Sequence, residues 1–391
     1  MSLPEEVYPV AAVREIDRRA NNDVGIPGYE LMTRAGQATL AEALRRFPDT
    51  GRWQVVCGAG NNAGDGFVVA RLAAERGMTV NAVSLVDPER LGGDARVACE
   101  DFVAAGGHVE LWAGQLDEAA ELLIDGLLGS GLERPVEGEF ADAVNAINAH
   151  PAPVVALDLP SGLHGDTGRP LGVAVQADLT VTFVGLKTGL FLEDGPELTG
   201  ALRFAGLDIP ASCHAPASAD YRRISGRNIR HALPPRPRKS HKGDFGHVLV
   251  VGGGPGMPGA ARLCGEAALR AGAGRVSLAT HPSHAAAIVQ TRPELMAHSI
   301  AEGSDLLPLL ATIDVVAFGP GLGRSDWAQA MFDALAGWAL PAVWDADALN
   351  LLASRPAKVP GRILTPHPGE AGTLLGSSAA AIESDRPAAL D

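Results

Sequence analysis

Residues 58 to 66 read GAGNNAGDG and follow the apolar run Trp53-Gln54-Val55-Val56-Cys57. A glycine-rich turn between a strand and a helix offers backbone N–H groups to phosphates. The glycines fall at Gly58, Gly60 and Gly64, a G-x-G-x-x-x-G spacing with an extra residue relative to the dinucleotide fingerprint. Asn61 and Asn62 add side-chain oxygens able to coordinate a cation, whereas the carboxylate of Asp65 would repel a pyrophosphate. Asp65 can equally be a helix N-cap that satisfies orphan amides. In favour of a dinucleotide, Asp87 stands about 20 residues on, at the end of the next strand-like run, where a ribose-binding acid is expected. This turn alone leaves both readings open.

Two more apolar runs end in a carboxylate. Leu122-Leu123-Ile124 leads into Asp125 and then GLLGSGLERP, and Val154-Val155-Ala156-Leu157 leads into Asp158 and then LPSGLHGDTG. In a parallel sheet the carboxyl ends of the strands share one rim, where open α/β folds bind their ligands. Asn62, Asp125 and Ser161 can then converge as an oxygen-lined site for a hard cation, while the glycine turns face phosphates. Taken singly, each aspartate can be no more than a cap of the following helix. Three rim loops of this kind together favour a ligand site.

The elements that must position these residues alternate. Strand patterns cover 53–57, 79–86, 108–112, 121–127, 153–159, 178–184 and 201–209, with helical patterns at 65–76, 95–105 and 139–150. Such alternation implies βαβ units and a parallel sheet covered on both faces. Two helical segments precede it, at 11–20 and 28–47, split by the turn Gly25-Ile26-Pro27-Gly28. After Pro210 the periodicity stops, and HALPPRPRKSHKGDFG is basic and proline-rich, so a domain boundary is expected there. A second alternation follows, with strands at 248–251, 275–279, 314–318, 342–345 and 362–365 and a helix at 262–271 behind the loop GGGPGMPGAA.

Length and composition agree. A chain of 391 residues suits two domains, and 46% hydrophobic, 20% charged and 5% aromatic residues describe a globular α/β protein. With 32 Lys plus Arg against 46 Asp plus Glu, the formal net charge of −14 disfavours nucleic acid and anionic membrane as partners. The acidic start and the absence of a long apolar run argue against a signal peptide or a membrane span, so a cytoplasmic location is expected. Cys57, Cys99, Cys213 and Cys264 are far apart in sequence and signal neither a disulfide framework nor a zinc site.

The set GAGNNAGDG, IDGLLGSGLERP, ALDLPSGLHGDTG and ADLTVTFVGLKTGL, with VREIDRRANNDVGIPGYELMTRAG near the start, resembles the NAD(P)H-hydrate epimerases. These interconvert the R and S forms of hydrated, damaged NADH and NADPH. The resemblance implies a Rossmann-like three-layer α/β/α sandwich over 1–215. It implies that Asn61, Asn62, Ala63, Gly64 and Asp65, with Gly129, Ser130, Gly131, Leu132, Glu133, Arg134 and Pro135, line the hydrated dinucleotide. Asn62, Asp125 and Ser161 would hold K+, and Asp158 would touch the substrate as the catalytic acid/base. Ala63 stands where that family usually has a second glycine; if a positive φ is needed there, alanine costs about 1 kcal/mol.

The segments HKGDFGHVLVVGGGPGMPGAARLCGEAALRAGAGRVSLAT, VVAFGPGLGRSDW, VWDADALNLLA and ILTPHPGEAGTLLG resemble the ADP-dependent NAD(P)H-hydrate dehydratases. That resemblance implies a ribokinase-like α/β domain over 222–391, with ADP and Mg2+ as co-reactants and Ala260, Gly321, Gly323 and His367 on the substrate. His367 can instead be held by its own turn, TPHPGE. In that family the nucleotide loop and the catalytic aspartate lie downstream of TPHPGE, so a C-terminally truncated, incomplete and inactive dehydratase domain is expected. The whole resembles a bifunctional repair enzyme and is expected to be a homo-oligomer. An NAD-dependent oxidoreductase and a noncatalytic dinucleotide-binding protein are the alternatives.

Overall fold

The structure, a computed structural model, describes residues 3–219, 221–290, 292–339 and 341–390; Met1, Ser2, Asp220, Thr291, Leu340 and Asp391 lie outside the described residues. Two compact units divide the chain, Met1–Leu233 and Pro234–Asp391.

In the first unit, strands β2 (Arg52–Cys57), β3 (Thr79–Ser84), β4 (Val109–Leu111), β5 (Leu122–Gly126), β6 (Val154–Leu157), β7 (Leu179–Phe183) and β9 (Ala201–Ala205) form one sheet in the order β4-β3-β2-β5-β6-β7-β9. Every pairing in it is parallel. Neighbouring side chains along the inner strands enter different cores, as a period of two demands of a sheet buried on both faces. Val55, Leu122, Ile124, Val155 and Leu157 join one apolar cluster, while Val56, Leu123, Val154 and Ala156 join another. Helices α2 (Gly28–Arg46), α3 (Asn61–Glu75) and α4 (Gly93–Ala104) cover the first face and α5 (Gly138–Ala149) the second. Each fully buried Leu, Ile or Val contributes roughly 1.5–3 kcal/mol to this sandwich.

Three short strands lie outside the expected pattern. β1 (Glu6–Tyr8) pairs antiparallel with β10 (Tyr221–Arg222) and parallel with β8 (Leu186–Lys187). Strands of two or three residues carry no periodicity that a sequence window can detect. The pairing with β1 ties Tyr221–Arg222 to the first unit, which runs to Leu233, beyond the boundary expected at 215. Helix α1 (Val10–Asn22) follows β1 directly and buries Val10, Val13, Ile16 and Ala20.

The second unit is also a parallel-sheet α/β fold. β11 (His247–Val251), β12 (Arg275–Thr280), β13 (Met296–Ser299), β14 (Val315–Phe318), β15 (Ala342–Trp344) and β16 (Arg362–Leu364) pair in the order β13-β12-β11-β14-β15-β16. Its faces are likewise split: Leu249, Val251, Val316 and Phe318 enter one cluster and Val250 enters the other. Strand β13 escaped the pattern because Met-Ala-His-Ser has no β-branched residue. The expected incompleteness of this domain finds no support in the fold, since the described residues build a six-stranded sheet with buried clusters on both faces. Among the described residues no helix is long and apolar enough to cross a membrane.

Candidate active sites

Strand β2 delivers the chain to Gly58, whose position is dictated by contact. A Cβ there would lie 1.9 Å from the Leu127 carbonyl oxygen and 2.9 Å from its carbon, so the turn after β2 and the turn after β5 can meet only at a glycine. Gly58→Ala is therefore expected to destabilise the first unit by about 1–3 kcal/mol. Gly60→Ala is the control, because a Cβ at Gly60 meets nothing within 4 Å and its φ is −109°. Equal melting of the two variants would refute this account.

Helix α3 begins at Asn61 with Gly60 as its N-cap, four residues earlier than the sequence places it. Asp65 consequently sits inside the helix and caps nothing. Ala63 is also helical and is absent from the residues with positive φ, so the expected strain at this alanine does not arise. Ala63 and Gly64 are buried on the inner side of α3, where a Cβ at Gly64 would meet Met32 and Ala95. They lie behind the site, not in it.

A cavity of about 900 Å3 opens at the carboxyl ends of the strands. Asn61, Asn62 and Asp65 line it from α3, Gly129 to Arg134 from the loop after β5, and Asp158 from the loop after β6. Pro135, expected with them, does not line it. Helix α1 supplies Arg14, Asp17 and Asn21, which sequence reasoning missed although a spacing of three and four puts them on one helical stripe. Arg14 Nη2 donates to the Ser130 carbonyl at 3.0 Å.

Below the cavity floor Asn62, Asp125 and Ser161 meet. Asp125 is fully buried; its Oδ1 accepts from Ser161 Oγ at 2.5 Å and Leu127 N at 3.2 Å, and its Oδ2 accepts from Ser161 N at 2.8 Å. Asn62 Nδ2 donates to the Leu128 carbonyl at 2.9 Å, and Leu128 N donates to Ser161 Oγ at 2.8 Å. Burial pushes the Asp125 carboxyl up to about 6, only partly offset by these hydrogen bonds. Among the described residues no basic side chain pairs with it.

Asp158 follows β6 with φ of 65°, a left-handed conformation that Asp tolerates better than most residues. Its Oδ1 accepts from Thr182 Oγ1 and Phe183 N, both at 3.2 Å, and from Lys187 Nζ. Lys187, a fourth residue that sequence reasoning missed, is 1% exposed. The signal was a lone lysine in an otherwise apolar strand end, but it stood only inside the quoted motif ADLTVTFVGLKTGL. Burial, with Asp158 and Asp17 nearby, holds the Asp65 carboxyl well above its ordinary range. Burial also raises Asp17, against the pull of Lys187. Asp87 is elsewhere: its Oδ1 accepts from Glu89 N and caps a short turn, and it is not among the cavity residues.

In the second unit Ala260 and Gly321 are adjacent, since a Cβ at Gly321 would come within 3.0 Å of the Ala260 Cβ. Gly321 and Gly323 have φ of 61° and 75°, and Gly323 N donates to Asp347 Oδ2 at 2.9 Å. His367 caps its own helix. Nδ1 accepts from Gly369 N at 3.0 Å and Nε2 lies 3.2 Å from Glu370 Oε1, so both ring nitrogens are engaged within TPHPGE.

Two parallel-sheet α/β units, the first with a cavity at the carboxyl ends of its strands lined by Asp17, Asp65, Asp94 and Asp158, define an α/β protein with a candidate ligand site on the rim of its first sheet. Residues 28–189 match the family described as YjeF-related protein N-terminus, and residues 248–390 match NAD(P)H-hydrate dehydratase. The bifunctional NAD(P)H-hydrate repair enzyme Nnr of Escherichia coli is 42% identical over 386 residues, covering 99% of this chain and 75% of that protein. Its counterpart in Coxiella burnetii is 43% identical, covering 97% and 78%. The chain belongs to the family of bifunctional NAD(P)H-hydrate repair enzymes. An ADP/ATP-dependent NAD(P)H-hydrate dehydratase from Bacillus subtilis, co-crystallised with ATP and Mg2+, is 31% identical, covers 41% of this chain and 58% of its own, and gives a TM-score of 0.35.

Proposed function

We propose that the first unit, a Rossmann-like α/β/α sandwich, epimerises hydrated NADH and NADPH, and that the second, a ribokinase-like domain, is the dehydratase of the pair. Inverting a hydroxylated carbon bonded to a ring nitrogen requires a bond to that carbon to break and re-form on the opposite face. As the hydroxyl gives up its proton the C–N bond opens to a carbonyl and the nitrogen takes a proton, and the reverse transfers close the ring, a proton shuttle that one positioned carboxylate can serve. The observation that carries the reading is Asp158, which lines the cavity and whose Oδ1 is fully engaged while none of the described residues donates to Oδ2. Asp65, whose carboxyl burial and the neighbouring carboxylates hold well above its ordinary range, lines the same space. The N-terminus of α3 and the arginines Arg14 and Arg134 supply the local attraction that a dinucleotide needs on a chain of net charge −14. Chromatographic separation of R and S hydrates tests this: interconversion no faster than in buffer would sink it. Asp87, tied to its own turn, removes the ribose-binding acid that an NAD-dependent oxidoreductase needs.

Potassium fits the group around Asp125. A buried carboxylate without a basic partner among the described residues, beside the Ser161 hydroxyl and the Leu128 carbonyl to which Asn62 also binds, is a donor set for a hard monovalent ion. Asn62, Asp125 and Ser161 would hold it, and its charge would stiffen the floor of the site and favour the dinucleotide's phosphates. For the dehydratase, ADP and Mg2+ are the co-reactants that the family implies. Among the described residues no group of three or more acidic, cysteine or histidine side chains is placed to hold a metal ion; Mg2+ would enter with the nucleotide phosphates. A cytoplasmic homo-oligomer is part of the same reading, and light scattering tests the oligomer.

Arg14 offers a test of binding separate from chemistry. Arg14→Ala should raise KM about fivefold, the equivalent of roughly 1 kcal/mol for an exposed charge contact, with kcat nearly unchanged. The difference from wild type should shrink as salt is raised. A KM that ignores both the substitution and the salt would place the phosphates elsewhere.

A further inference from the structure

Lysine is almost never fully buried without a partner, yet Lys187 is 1% exposed. An ammonium group has three protons to donate, and this one has three acceptors. They are Asp158 Oδ1, Thr182 Oγ1 at 3.1 Å and the Phe183 carbonyl at 2.8 Å. Thr182 closes the triangle by donating its own proton to Asp158 Oδ1. The backbone that carries Lys187 is fixed too. In strand β8 it pairs with Tyr8 of β1, and the next residue, Thr188, donates its hydroxyl to the Tyr8 carbonyl at 3.1 Å.

The surroundings explain why such a group is needed. Asp17 faces Asp158 and Lys187 from α1, and Asp65 faces them from α3. The remaining charged groups lining the cavity are Arg14 of α1, Asp94 of α4, and Glu133 and Arg134 of the loop after β5. Among the described residues Lys187 is the one basic side chain in contact with Asp158. Without it, three carboxyl groups would share one enclosed space, and nothing would distinguish the two oxygens of Asp158.

We propose that Lys187 is a positioning residue of the epimerase: by holding Oδ1 of Asp158 together with Thr182, it presents Oδ2 to the substrate hydroxyl and supplies the counter-charge that makes Asp158, not Asp17 or Asp65, the carboxylate of the site. The inference rests on Asp158 being the acid/base residue. Removing a positive charge beside a carboxylate favours its protonated form, so activity that depends on the carboxylate should appear at higher pH.

The experiment measures R-to-S interconversion against pH for the full chain as wild type, Lys187→Met, Thr182→Val and Asp158→Asn, with melting curves to verify folding. Lys187→Met should lower kcat at least about tenfold with KM within about twofold, and should move the acidic limb of kcat/KM upward by about one pH unit or more. Thr182→Val should move that limb in the same direction by less. A lysine that merely fills space would lower activity equally at every pH. A folded Lys187→Met protein with the wild-type limb overturns the proposal; if that variant does not fold, an unmoved limb in Thr182→Val does so. Loss of activity in Asp158→Asn alongside unmoved limbs sinks Lys187 alone, whereas wild-type activity in Asp158→Asn removes the underlying reading and the proposal with it.

Discussion

Asp158→Asn is expected to lower the rate of hydrate epimerisation about 100- to 10,000-fold, the range over which a positioned acid/base group acts, and to leave KM within a few-fold. Asparagine is the informative substitution. It keeps an oxygen for Thr182, Phe183 N and Lys187 and tolerates the φ of 65°, which alanine would not. Stability should still fall, because the buried Lys187 ammonium loses its charged partner, at up to about 3–5 kcal/mol for a fully buried pair. Assays therefore belong below the melting transition, with the rates compared on folded protein. A folded variant that interconverts R and S at the wild-type rate would take Asp158 out of the mechanism.

Asp125→Asn is expected to abolish the response to potassium. In the wild type, exchanging tetramethylammonium for potassium at constant ionic strength should raise both the melting temperature and the epimerase rate. An ion present at about 100 times its dissociation constant adds about 2.7 kcal/mol to the folded state. The variant has no charge to offer an ion and sets an amide N–H2 against the donors Ser161 N, Ser161 Oγ and Leu127 N. Its melting temperature should be the same in either salt and its rate at least tenfold lower. If potassium still stabilises Asp125→Asn as it does the wild type, the ion binds somewhere else. Ser161→Ala should behave as a weaker version, because it removes one oxygen and leaves the charge.

Much of this fold is legible in the chain because burial on both faces of a parallel sheet leaves an uninterrupted apolar run, and such runs end abruptly where the rim begins. Leu122 to Asp125 and Val154 to Asp158 are examples in which the strand and the polar residue beyond it are read in one glance. Helix α3 was misplaced by four residues since Asn61 and Asn62 look like turn residues, whereas the structure uses them to begin the helix. The sense of Ala63 changed with it, from a strained loop residue to an ordinary helical one. Asp87 looked like a ribose-binding acid by its distance along the chain and proves to be a turn cap in space.

The sequence by itself determined the alternation of strands and helices, the rim that must carry the chemistry, and the motifs that resemble a repair enzyme, since all of these depend on residues close together in the chain. The tertiary structure alone decided what shares the cavity. Asp17 lies 141 positions before Asp158 and Lys187 lies 29 after it, yet the crossovers and the β1–β8 pairing bring all three around one substrate-sized space. Whether a carboxyl there is a base, an acid or a cap depends on burial and on the sign of its neighbours. Those are properties of the assembled space, and no spacing along a chain encodes them.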